Sequence, residues 1–181
     1  MLFPFFLIIA IWIKLDSKGP VFYRGFRVGL HGKPFRIFKF RTMVSNAETI
    51  GPSSTTYSDN RQTKPGKFLR RYKLDEFSQL INILFGQMSF VGPRPQVEWA
   101  VNTYSEEEKK ILSIKPGITD LASIKFHNEG ELLEGAEDPD KYYLEIIHSE
   151  KMRLALEYVE NRSFLMDLKI IMFTLKTIIK K

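Results

Sequence analysis

Two adjacent carboxylates, Asp75 and Glu76, begin a segment of helical periodicity, and arginines stand on both sides of them. Arg70 lies five residues upstream of Asp75, and Arg94 lies downstream. Guanidinium groups bind phosphate or carboxylate in bidentate fashion, so this spacing is suited to an anionic ligand that approaches the two acids. A purely structural explanation also stands, because the helix dipole favours acidic residues in a first turn by roughly 0.3–1 kcal/mol each.

The segment from Leu74 to Gly86 has the spacing of one amphipathic helix. A polar stripe of Asp75, Gln79 and Asn82 runs beside an apolar stripe, and Gly86 supplies a stop at the C-terminal end. The two acids would then point about 100° apart, so they need not play the same part. The apolar stripe consists of Leu74, Phe77, Leu80, Ile81 and Leu84.

Arg94 is flanked by Pro93 and Pro95, which predicts an irregular segment from Ser89 to Pro95. A residue that precedes proline is pushed out of the helical region, so the direction of Arg94 is restricted. A guanidinium held in this way is well suited to bidentate contact with a phosphate or a carboxylate.

The chain of 181 residues is long enough for one domain with a sizeable core, and its net charge is +6. The basic residues cluster from Lys14 to Arg41 and from Arg61 to Lys73. Clustered positive charge indicates an anionic partner, which could be nucleic acid, a phosphorylated substrate or an anionic membrane surface. The chain has no cysteine, which excludes a disulfide framework and a thiolate metal site.

The first thirteen residues are uncharged and apolar, but a helix needs about 20 such residues to cross a bilayer. Three interpretations remain: a buried core helix, an interfacial or re-entrant segment, or the second half of a longer hydrophobic element. We favour membrane contact, because the segment has no polar face and because Trp12 and Lys14 suit a membrane–water boundary. Pro4 would bend or break a helix that continued upstream.

The remaining periodicities predict an α+β fold in a single domain, mostly helical with one short β-hairpin. The hairpin turns near His31 and Gly32, and His31 should be exposed. The last helix, capped by Ser163, is strongly apolar and would lie in the core or in a membrane interface. The other expected elements are a loop over 51–66, a helix over 67–73, a helix over 96–113, a tight turn over 115–120 and an acidic loop over 129–140.

Several motifs occur together in one order and resemble the bacterial sugar transferases, the small monotopic phosphoglycosyl transferases that act on polyprenol phosphate. The resemblance extends over nearly the whole chain, and the joint occurrence of the motifs is highly specific. The motifs are the apolar run with Pro4, Lys-Phe-Arg-Thr-Met at 39–43, Arg70 five residues before Asp75, Leu-Asp-Glu at 74–76 with Gln79-Leu80, Met-Ser-Phe-Val-Gly-Pro-Arg-Pro at 88–95, Lys-Pro-Gly-Ile-Thr at 115–119 and Ser-Phe-Leu-Met-Asp-Leu-Lys-Ile at 163–170.

This resemblance implies transfer of a phosphosugar from a UDP-sugar to undecaprenyl phosphate, with release of UMP. The aspartate nucleophile of the family matches Asp75, and its adjacent glutamate, associated with Mg²⁺, matches Glu76. We therefore expect Mg²⁺ at these two carboxylates. The arginines that the family places near the phosphates match Arg70 and Arg94.

Physical reasoning agrees with these roles. A carboxylate that attacks a diphosphate needs cations to neutralise the developing charge, and an acyl-phosphate intermediate would divide the transfer into two steps. Lys39, Arg41 and Lys115 are further candidate phosphate contacts, although each could equally be an ordinary solvated base.

The resemblance also implies a location and partners. Residues 1–15 would form a membrane-associated segment of re-entrant type, and residues 16–181 would form the catalytic part at the cytoplasmic face of the bacterial inner membrane. The sequence begins near the bend at Pro4, so we expect the entering half of this helix to be absent from it. Membrane lipid and a second copy of the chain are further expected partners, with the apolar last helix supporting a homodimer.

Two alternatives are kept beside the enzyme. A basic nucleic-acid-binding module would use the charge clusters, but it has no recognised motif and leaves the apolar N-terminus unexplained, so we expect no nucleic-acid partner. A catalytically impaired membrane scaffold is the other alternative, and the intact carboxylates Asp75 and Glu76 argue against it. Departures from the family pattern, such as Asp120 after the Lys-Pro-Gly-Ile-Thr turn, lie outside the nucleophile motif and leave the identity of the sugar open.

Overall fold

The computed structural model describes residues 2–51, 59–133 and 137–179. It confirms the α+β class, with helices predominating and with strands that form two-stranded pairs. The helices are α1 (Leu2–Asp16), α2 (Lys64–Arg71), α3 (Leu80–Leu84), α4 (Glu98–Val101), α5 (Leu121–Lys125), α6 (Glu129–Leu132), α7 (Pro139–Tyr142), α8 (Ser149–Asn161) and α9 (Phe164–Ile179). The strands are β1 (Phe22–Tyr23), β2 (Phe26–Val28), β3 (Pro34–Arg36), β4 (Lys39–Phe40), β5 (Ser89–Val91) and β6 (Gly117–Thr119).

The N-terminal apolar segment forms α1, which buries one face and exposes the other. Ile9 and Ile13 pack against Phe40 of β4 and Leu69 of α2, so α1 closes one of the hydrophobic clusters. Its outer face is also apolar, and Leu15 is 82% exposed. Within the described residues, none of the helices combines the length and the apolar character that crossing a membrane requires.

The predicted hairpin is confirmed. Strand β2 pairs antiparallel with β3, and the intervening turn places His31 at φ 55 and exposes its side chain. The chain then changes partner, because β4 pairs antiparallel with β1. This second pairing sets Lys39 opposite Tyr23.

The segment after α2 was predicted to be one amphipathic helix, which is wrong. It is a 3₁₀ helix over Leu74–Gln79 followed by α3. Its polar face is the buried one: Asp75, Ser78, Gln79 and Asn82 are all at most 2% exposed. On its apolar face Leu74, Leu80 and Ile81 are half-buried, and Phe77 and Leu84 are exposed, Leu84 at 84%. Helical spacing identified the two faces correctly. The polar face is the one that packs against the neighbouring strands, because Asn82 on that face hydrogen-bonds to the backbone there.

Asn82 shows how the buried polar face is held. Its Oδ1 accepts from the backbone N–H of Phe38 at 2.8 Å, and its Nδ2 donates to the carbonyl of Arg36 at 2.9 Å and to Gln87 Oε1 at 2.7 Å. These bonds satisfy the backbone where the chain passes from β3 to β4. Asn82 therefore fixes α3, and with it the preceding 3₁₀ helix, against the segment that carries Lys39.

Two predicted loops contain strands instead. Part of the segment predicted to be irregular forms β5, part of the predicted tight turn forms β6, and the two pair in parallel, with Ser89 opposite Gly117 and Val91 opposite Thr119. A Cβ on Gly117 would come within 2.2 Å of the Gly92 nitrogen, so only glycine permits this approach. The pairing seats the Pro93–Pro95 segment against residues far along the chain.

The predicted helix over 96–113 is also wrong. The chain forms α4 and then a separate 3₁₀ helix over Glu108–Ser113. Ser105 interrupts the spacing: its backbone N–H donates to Glu108 Oε2 at 2.8 Å, and the Glu108 N–H donates to Ser105 Oγ at 3.2 Å. This reciprocal pair is a capping box, which starts a new helical turn.

The other expectations are met in part. Thr63 caps α2 by accepting from the Gly66 N–H at 3.1 Å, and α2 begins at Lys64, within the predicted loop. Residues 52–58 of that loop lie outside the described residues. The acidic segment contains α6 and the start of α7, and residues 134–136 are not described. Ser163 caps α9 as predicted, by accepting from the Met166 N–H at 3.2 Å.

Candidate active site

Asp75 lies at the start of the 3₁₀ helix and is almost fully buried, at 2% exposure. The preceding residue but one, Lys73, adopts a left-handed conformation with φ 56, which ends α2 and redirects the chain. Lys39 Nζ lies 3.1 Å from Asp75 Oδ2. Asp75 Oδ1 is buried and has no hydrogen-bond partner among the described residues, so one carboxylate oxygen is available for another group.

Glu76 points to a different partner. The Arg94 guanidinium donates to both of its oxygens, from Nη1 to Oε2 at 2.7 Å and from Nη2 to Oε1 at 2.8 Å. Lys39 Nζ lies 3.3 Å from Glu76 Oε1, so the lysine bridges the two adjacent carboxylates. Burial acts to raise the pKa of Glu76, but Arg94, Lys39 and Lys73 outweigh it and hold that pKa well below its ordinary value.

Arg94 is positioned by the β5–β6 pair. The Gly117 N–H donates to the Pro93 carbonyl at 3.1 Å, and the Arg94 N–H donates to Asp120 Oδ2 at 3.3 Å. The guanidinium also donates to the Ile118 carbonyl. Burial acts to lower the pKa of Arg94, but Glu76 outweighs it and raises the pKa, so this cation is permanent.

Two further cations, Lys73 and Arg70, act on the carboxylates from beyond ion-pair distance. Lys73 retains contact with solvent, yet the surrounding protein lowers its pKa despite the attraction of Glu76 and Asp75. Arg70 donates from Nε to Thr42 Oγ1 at 3.1 Å, and burial lowers its pKa despite the field of Asp75. Asp75 thus sits in a strongly cationic environment, as an anion-binding site requires.

The structure brings together five of the seven residues singled out from the sequence: Asp75, Glu76, Lys39, Arg70 and Arg94. It does not bring Arg41 or Lys115 to them. Arg41 is buried and donates to the carbonyls of Ser17 at 2.8 Å and Lys18 at 2.7 Å, so it anchors the C-terminal end of α1. Lys115 is exposed and lies beside Gly86, beyond the end of α3.

A cavity of about 640 Å³ opens beside the cluster. This volume lies within the usual range for small-molecule sites. Asp75 does not itself line the cavity, whereas Lys39, which contacts Asp75, does. A ligand would therefore reach Asp75 only after Lys39 moves or Asp75 rotates. The polar lining includes Lys39, Lys73, Glu76, Gln79, Arg94, Asp120, Glu129, Tyr143 and Lys151.

Three residues that line the cavity had no predicted role: Lys73, Asp120 and Gln79, although Gln79 belongs to the Leu-Asp-Glu motif segment. Asp120 caps α5 by accepting from the Ser123 N–H at 2.6 Å, and it also fixes the Arg94 backbone. Gln79 stood on the predicted polar stripe, three residues after Glu76. Because residues three apart are eclipsed in a 3₁₀ helix, that spacing would have indicated a shared face.

In the described part of the chain, no group of three His, Asp or Glu side chains is arranged to hold a metal. A metal ion here would have to rely on Asp75 and Glu76 alone among the acidic residues. Mg²⁺ accepts such a site, because it usually takes one or two carboxylates together with substrate phosphate oxygens. The buried, unpaired Asp75 Oδ1 is a suitable oxygen donor.

The buried Asp75, the half-buried Glu76 beside it, their cations and the adjacent cavity agree with the resemblance found in the sequence. The profile of a known family, described as bacterial sugar transferase, matches residues 1–181, and the chain belongs to that family.

Its relatives carry related names. The chain is 38% identical over 179 residues to a UDP-glucose:undecaprenyl-phosphate glucose-1-phosphate transferase of Klebsiella pneumoniae, an alignment that covers 94% of this chain and 35% of the relative. It is 36% identical over 174 residues to an uncharacterized sugar transferase, EpsL, of Bacillus subtilis, covering 96% of this chain and 76% of the relative. It is 34% identical over 179 residues to a UDP-N-acetylgalactosamine-undecaprenyl-phosphate N-acetylgalactosaminephosphotransferase of Aeromonas hydrophila, covering 97% and 39%. The chain thus spans only about a third of the length of the Klebsiella relative.

Proposed function

We propose that this protein transfers a phosphosugar from a UDP-sugar to undecaprenyl phosphate and releases UMP, as a first step in assembling a surface glycan. The names of its relatives support the substrate classes. The single observation that carries the proposal is the buried Asp75 carboxylate, with one oxygen unpaired, beside Lys39 and close to a 640 Å³ cavity.

Asp75 is the nucleophile. In the first step, one of its carboxylate oxygens forms a bond to the phosphorus that carries the sugar, and the bond from that phosphorus to the bridging oxygen breaks. The electron pair leaves with UMP, and Asp75 becomes an acyl phosphate that bears the sugar. In the second step, a phosphate oxygen of undecaprenyl phosphate attacks the same phosphorus, the bond to Asp75 breaks, and the carboxylate is regenerated.

The cations make the approach of a diphosphate to a carboxylate feasible. Lys39 contacts Asp75 and lines the cavity, so its ammonium can pass from the carboxylate to a substrate phosphate. Lys73 lines the same cavity and adds a second positive charge. Arg94 holds Glu76 in an ionised, fixed position through two hydrogen bonds, and Arg70 contributes a long-range attraction to Asp75.

Mg²⁺ is part of the proposal, with Glu76 and Asp75 as its protein ligands. When bound, it would neutralise charge on the phosphate oxygens and on the departing UMP. The unpaired Asp75 Oδ1 and the neighbouring Glu76 carboxylate fit the oxygen ligands that Mg²⁺ prefers.

Association with the cytoplasmic face of a bacterial inner membrane is also proposed, because undecaprenyl phosphate is a lipid. Exposed aromatic side chains connect α1 to the site: the rings of Phe5 and Phe77 lie 6.4 Å apart, and those of Trp12 and Phe68 lie 5.5 Å apart. Phe77 follows Glu76 directly and lines the cavity. We call this set, Phe5, Trp12, Phe68 and Phe77, the aromatic patch. It would let a lipid reach the cavity from the membrane side of α1.

The test is UMP release with Mg²⁺ from a panel of UDP-sugars, with and without undecaprenyl phosphate. We expect Asp75→Asn to abolish UMP release from every UDP-sugar, because an amide cannot form the acyl phosphate. Asp138→Asn makes the same chemical change at an exposed carboxylate and should retain the wild-type rate. The wild-type protein incubated with UDP-sugar alone should gain the mass of one phosphosugar on the peptide that contains Asp75. An undiminished rate in Asp75→Asn would rule out the covalent route.

A further inference from the structure

Lys151 and Glu129 form an ion pair on the wall of the cavity, and neither residue has yet been assigned a role. Lys151 Nζ lies 2.5 Å from Glu129 Oε2, and the two side chains keep 18% and 32% exposure. Both residues line the cavity. Each charged group therefore retains surface from which it can contact a bound molecule.

Two aromatic rings lie beside the lysine. Lys151 Nζ is 4.9 Å from the centre of the Tyr143 ring and 6.0 Å from the centre of the Phe126 ring, and both rings also line the cavity. Burial, together with the carboxylates of Glu129 and Asp120, raises the pKa of Tyr143 to about 12, so its hydroxyl stays protonated at neutral pH. Fixed polar groups beside aromatic surface are the usual lining of a small-molecule site.

A second ion pair joins neighbouring parts of the same helices without facing the cavity. Lys125 Nζ lies 2.5 Å from Glu150 Oε1, which links α5 to α8, and neither of these residues lines the cavity. The Lys151–Glu129 pair links α6 to α8 at the same distance. The two pairs differ in that only one of them can meet a ligand in the cavity.

Asp120 connects the Lys151–Glu129 pair to the reacting centre. Its carboxylate accepts from the Arg94 N–H at 3.3 Å, and Arg94 holds Glu76. It also lies close enough to Tyr143 to raise the pKa of that residue. A substrate whose phosphate lies at the carboxylates can therefore extend along this wall of the cavity toward Lys151.

The relatives of the chain indicate which part of the substrate this wall meets. Two of them are named for different sugars, glucose and N-acetylgalactosamine, whereas both names contain UDP and undecaprenyl phosphate. We expect shared motifs to bind the groups that such substrates share, and other segments to bind the sugar that differs. The residues of this wall, Phe126, Glu129, Tyr143 and Lys151, lie between the motifs at 115–119 and 163–170 and outside both.

We propose that Lys151 and Glu129 hydrogen-bond the sugar of the UDP-sugar and contribute to the choice of an uncharged sugar. One sugar hydroxyl can donate to Glu129 and accept from Lys151, while the rings of Tyr143 and Phe126 cover the apolar face of the sugar. The pair has no net charge, so it offers a charged sugar no net attraction. This assignment rests on the proposed function.

The first measurement compares Lys151→Met with the wild-type protein. UMP release is measured with UDP-glucose, UDP-galactose, UDP-N-acetylglucosamine and UDP-N-acetylgalactosamine. We expect kcat/KM for the best substrate to fall about tenfold, and the ratios between the four substrates to change by about threefold or more, because a hydrogen bond to the sugar is lost. Inhibition by UMP, which has no sugar, should not change.

The second measurement has a sign that a purely structural ion pair would not give. The inhibitor is UDP-glucuronic acid, whose sugar carries a carboxylate. Glu129→Gln leaves the charge of Lys151 unbalanced and should strengthen this inhibition several-fold, whereas Lys151→Met leaves Glu129 unbalanced and should weaken it several-fold. Inhibition by UMP serves as the reference in both variants.

The matched controls are Lys125→Met and Glu150→Gln, which make the same chemical changes in the ion pair outside the cavity. Each should leave the substrate ratios and both inhibition constants at their wild-type values. If Lys151→Met does not fold, Glu129→Gln, which keeps the size of the side chain, serves for both measurements.

Unchanged substrate ratios in the folded variants would overturn the assignment and would mean that the pair only joins α6 to α8. Weakened UMP inhibition would also overturn it, since the contact would then be with the nucleotide. If the wild-type protein releases UMP from none of the four UDP-sugars, the proposed function fails and takes this assignment with it. Failure of the assignment alone leaves wild-type UMP release, and its loss in Asp75→Asn, intact.

Discussion

At the scale of single residues, the two neighbouring acids have separate tasks because their surroundings differ. Asp75 keeps one oxygen unpaired, whereas both Glu76 oxygens accept hydrogen bonds from Arg94. The adjacency of Asp75 and Glu76 in the sequence could suggest that the two acids have different roles, but not which acid has which role. The β5–β6 pairing determines which of the two acids Arg94 contacts. Arg94 and Glu76 are 18 residues apart in the sequence.

Glu76→Gln should destabilise the protein, because Arg94 and Lys39 would lose their shared counter-charge. All three side chains keep some solvent contact, so we expect a loss of about 1–3 kcal/mol in the free energy of unfolding, below the cost of breaking a fully buried pair. Urea unfolding at pH 7 measures it. Glu107→Gln, which alters an exposed acid 3.9 Å from Lys110, should change the value by less than about 0.5 kcal/mol.

The same variant gives a pH dependence whose sign follows from the lowered pKa of Glu76. A carboxyl with a lowered folded-state pKa contributes its full stability above the unfolded value, about 4.3 for Glu, and loses it as the pH falls toward the folded value. The stability difference between the wild type and Glu76→Gln should therefore be constant near neutral pH and shrink below about pH 4. A difference that grows on acidification would contradict the ion-paired state of Glu76.

At the scale of elements, the segment from Leu74 to Leu84 has an ordinary amphipathic pattern, but it buries its polar face and not its apolar face. The buried face carries Asp75, Ser78, Gln79 and Asn82, and the exposed face carries Phe77 and Leu84. Asn82 is the main reason, because it pairs with backbone groups that no apolar side chain could satisfy.

Asn82→Leu should therefore be strongly destabilising although it introduces an apolar residue at a buried position. It leaves the Phe38 N–H and the Arg36 carbonyl without their partner, at about 1–3 kcal/mol for each unpaired group. We expect a total loss of about 2–6 kcal/mol in urea unfolding, accompanied by slower UMP release because Lys39 follows Phe38 directly. Asn102→Leu, at an exposed position, is the control. Equal stabilities of the two variants would show that the buried face does not depend on Asn82.

How far the sequence predicts these elements depends on whether their signals are local. The hairpin, the cap at Ser163 and the α+β class follow from patterns within a few residues. The β5–β6 pair does not, because its two strands are short and its stability comes from contact between distant positions. The prediction of one helix over 96–113 is wrong despite a local signal, since the Ser105–Glu108 capping box marks the start of a new helical turn. Of the site, the residue types were predictable, but the diversion of Arg41 to α1 was not.

At the scale of the whole molecule, apolar side chains remain exposed on several elements. On α1, Leu7, Ile8, Ile11 and Leu15 are at least half exposed, while Ile9 and Ile13 are buried. On α9, Phe164, Leu165, Met172 and Phe173 are exposed in the same way. Exposed apolar area of this extent indicates a binding surface, and the lipid substrate that we propose would supply a reason for it.

Leu15→Glu tests the membrane proposal with little risk to folding, because Leu15 is 82% exposed. A charge at this position on α1 should reduce flotation with vesicles that contain anionic lipid by several-fold, since it would have to leave water. Ile146→Glu, at an exposed position in the segment before α8, is the matched control and should float like the wild type. If the two variants float equally, α1 is not the contact surface.

The parallel pairing of β5 with β6 has a consequence for the order in which the protein matures. Arg94 takes its position from Gly117, Ile118 and Asp120, so a nascent chain that ends before these residues contains both carboxylates but cannot hold their arginine. Contacts between positions distant in sequence form slowly, since the loop between them must close first. We therefore expect Glu76 to be fixed by Arg94 late in synthesis, so that the reactive centre is completed only after Asp120 has left the ribosome.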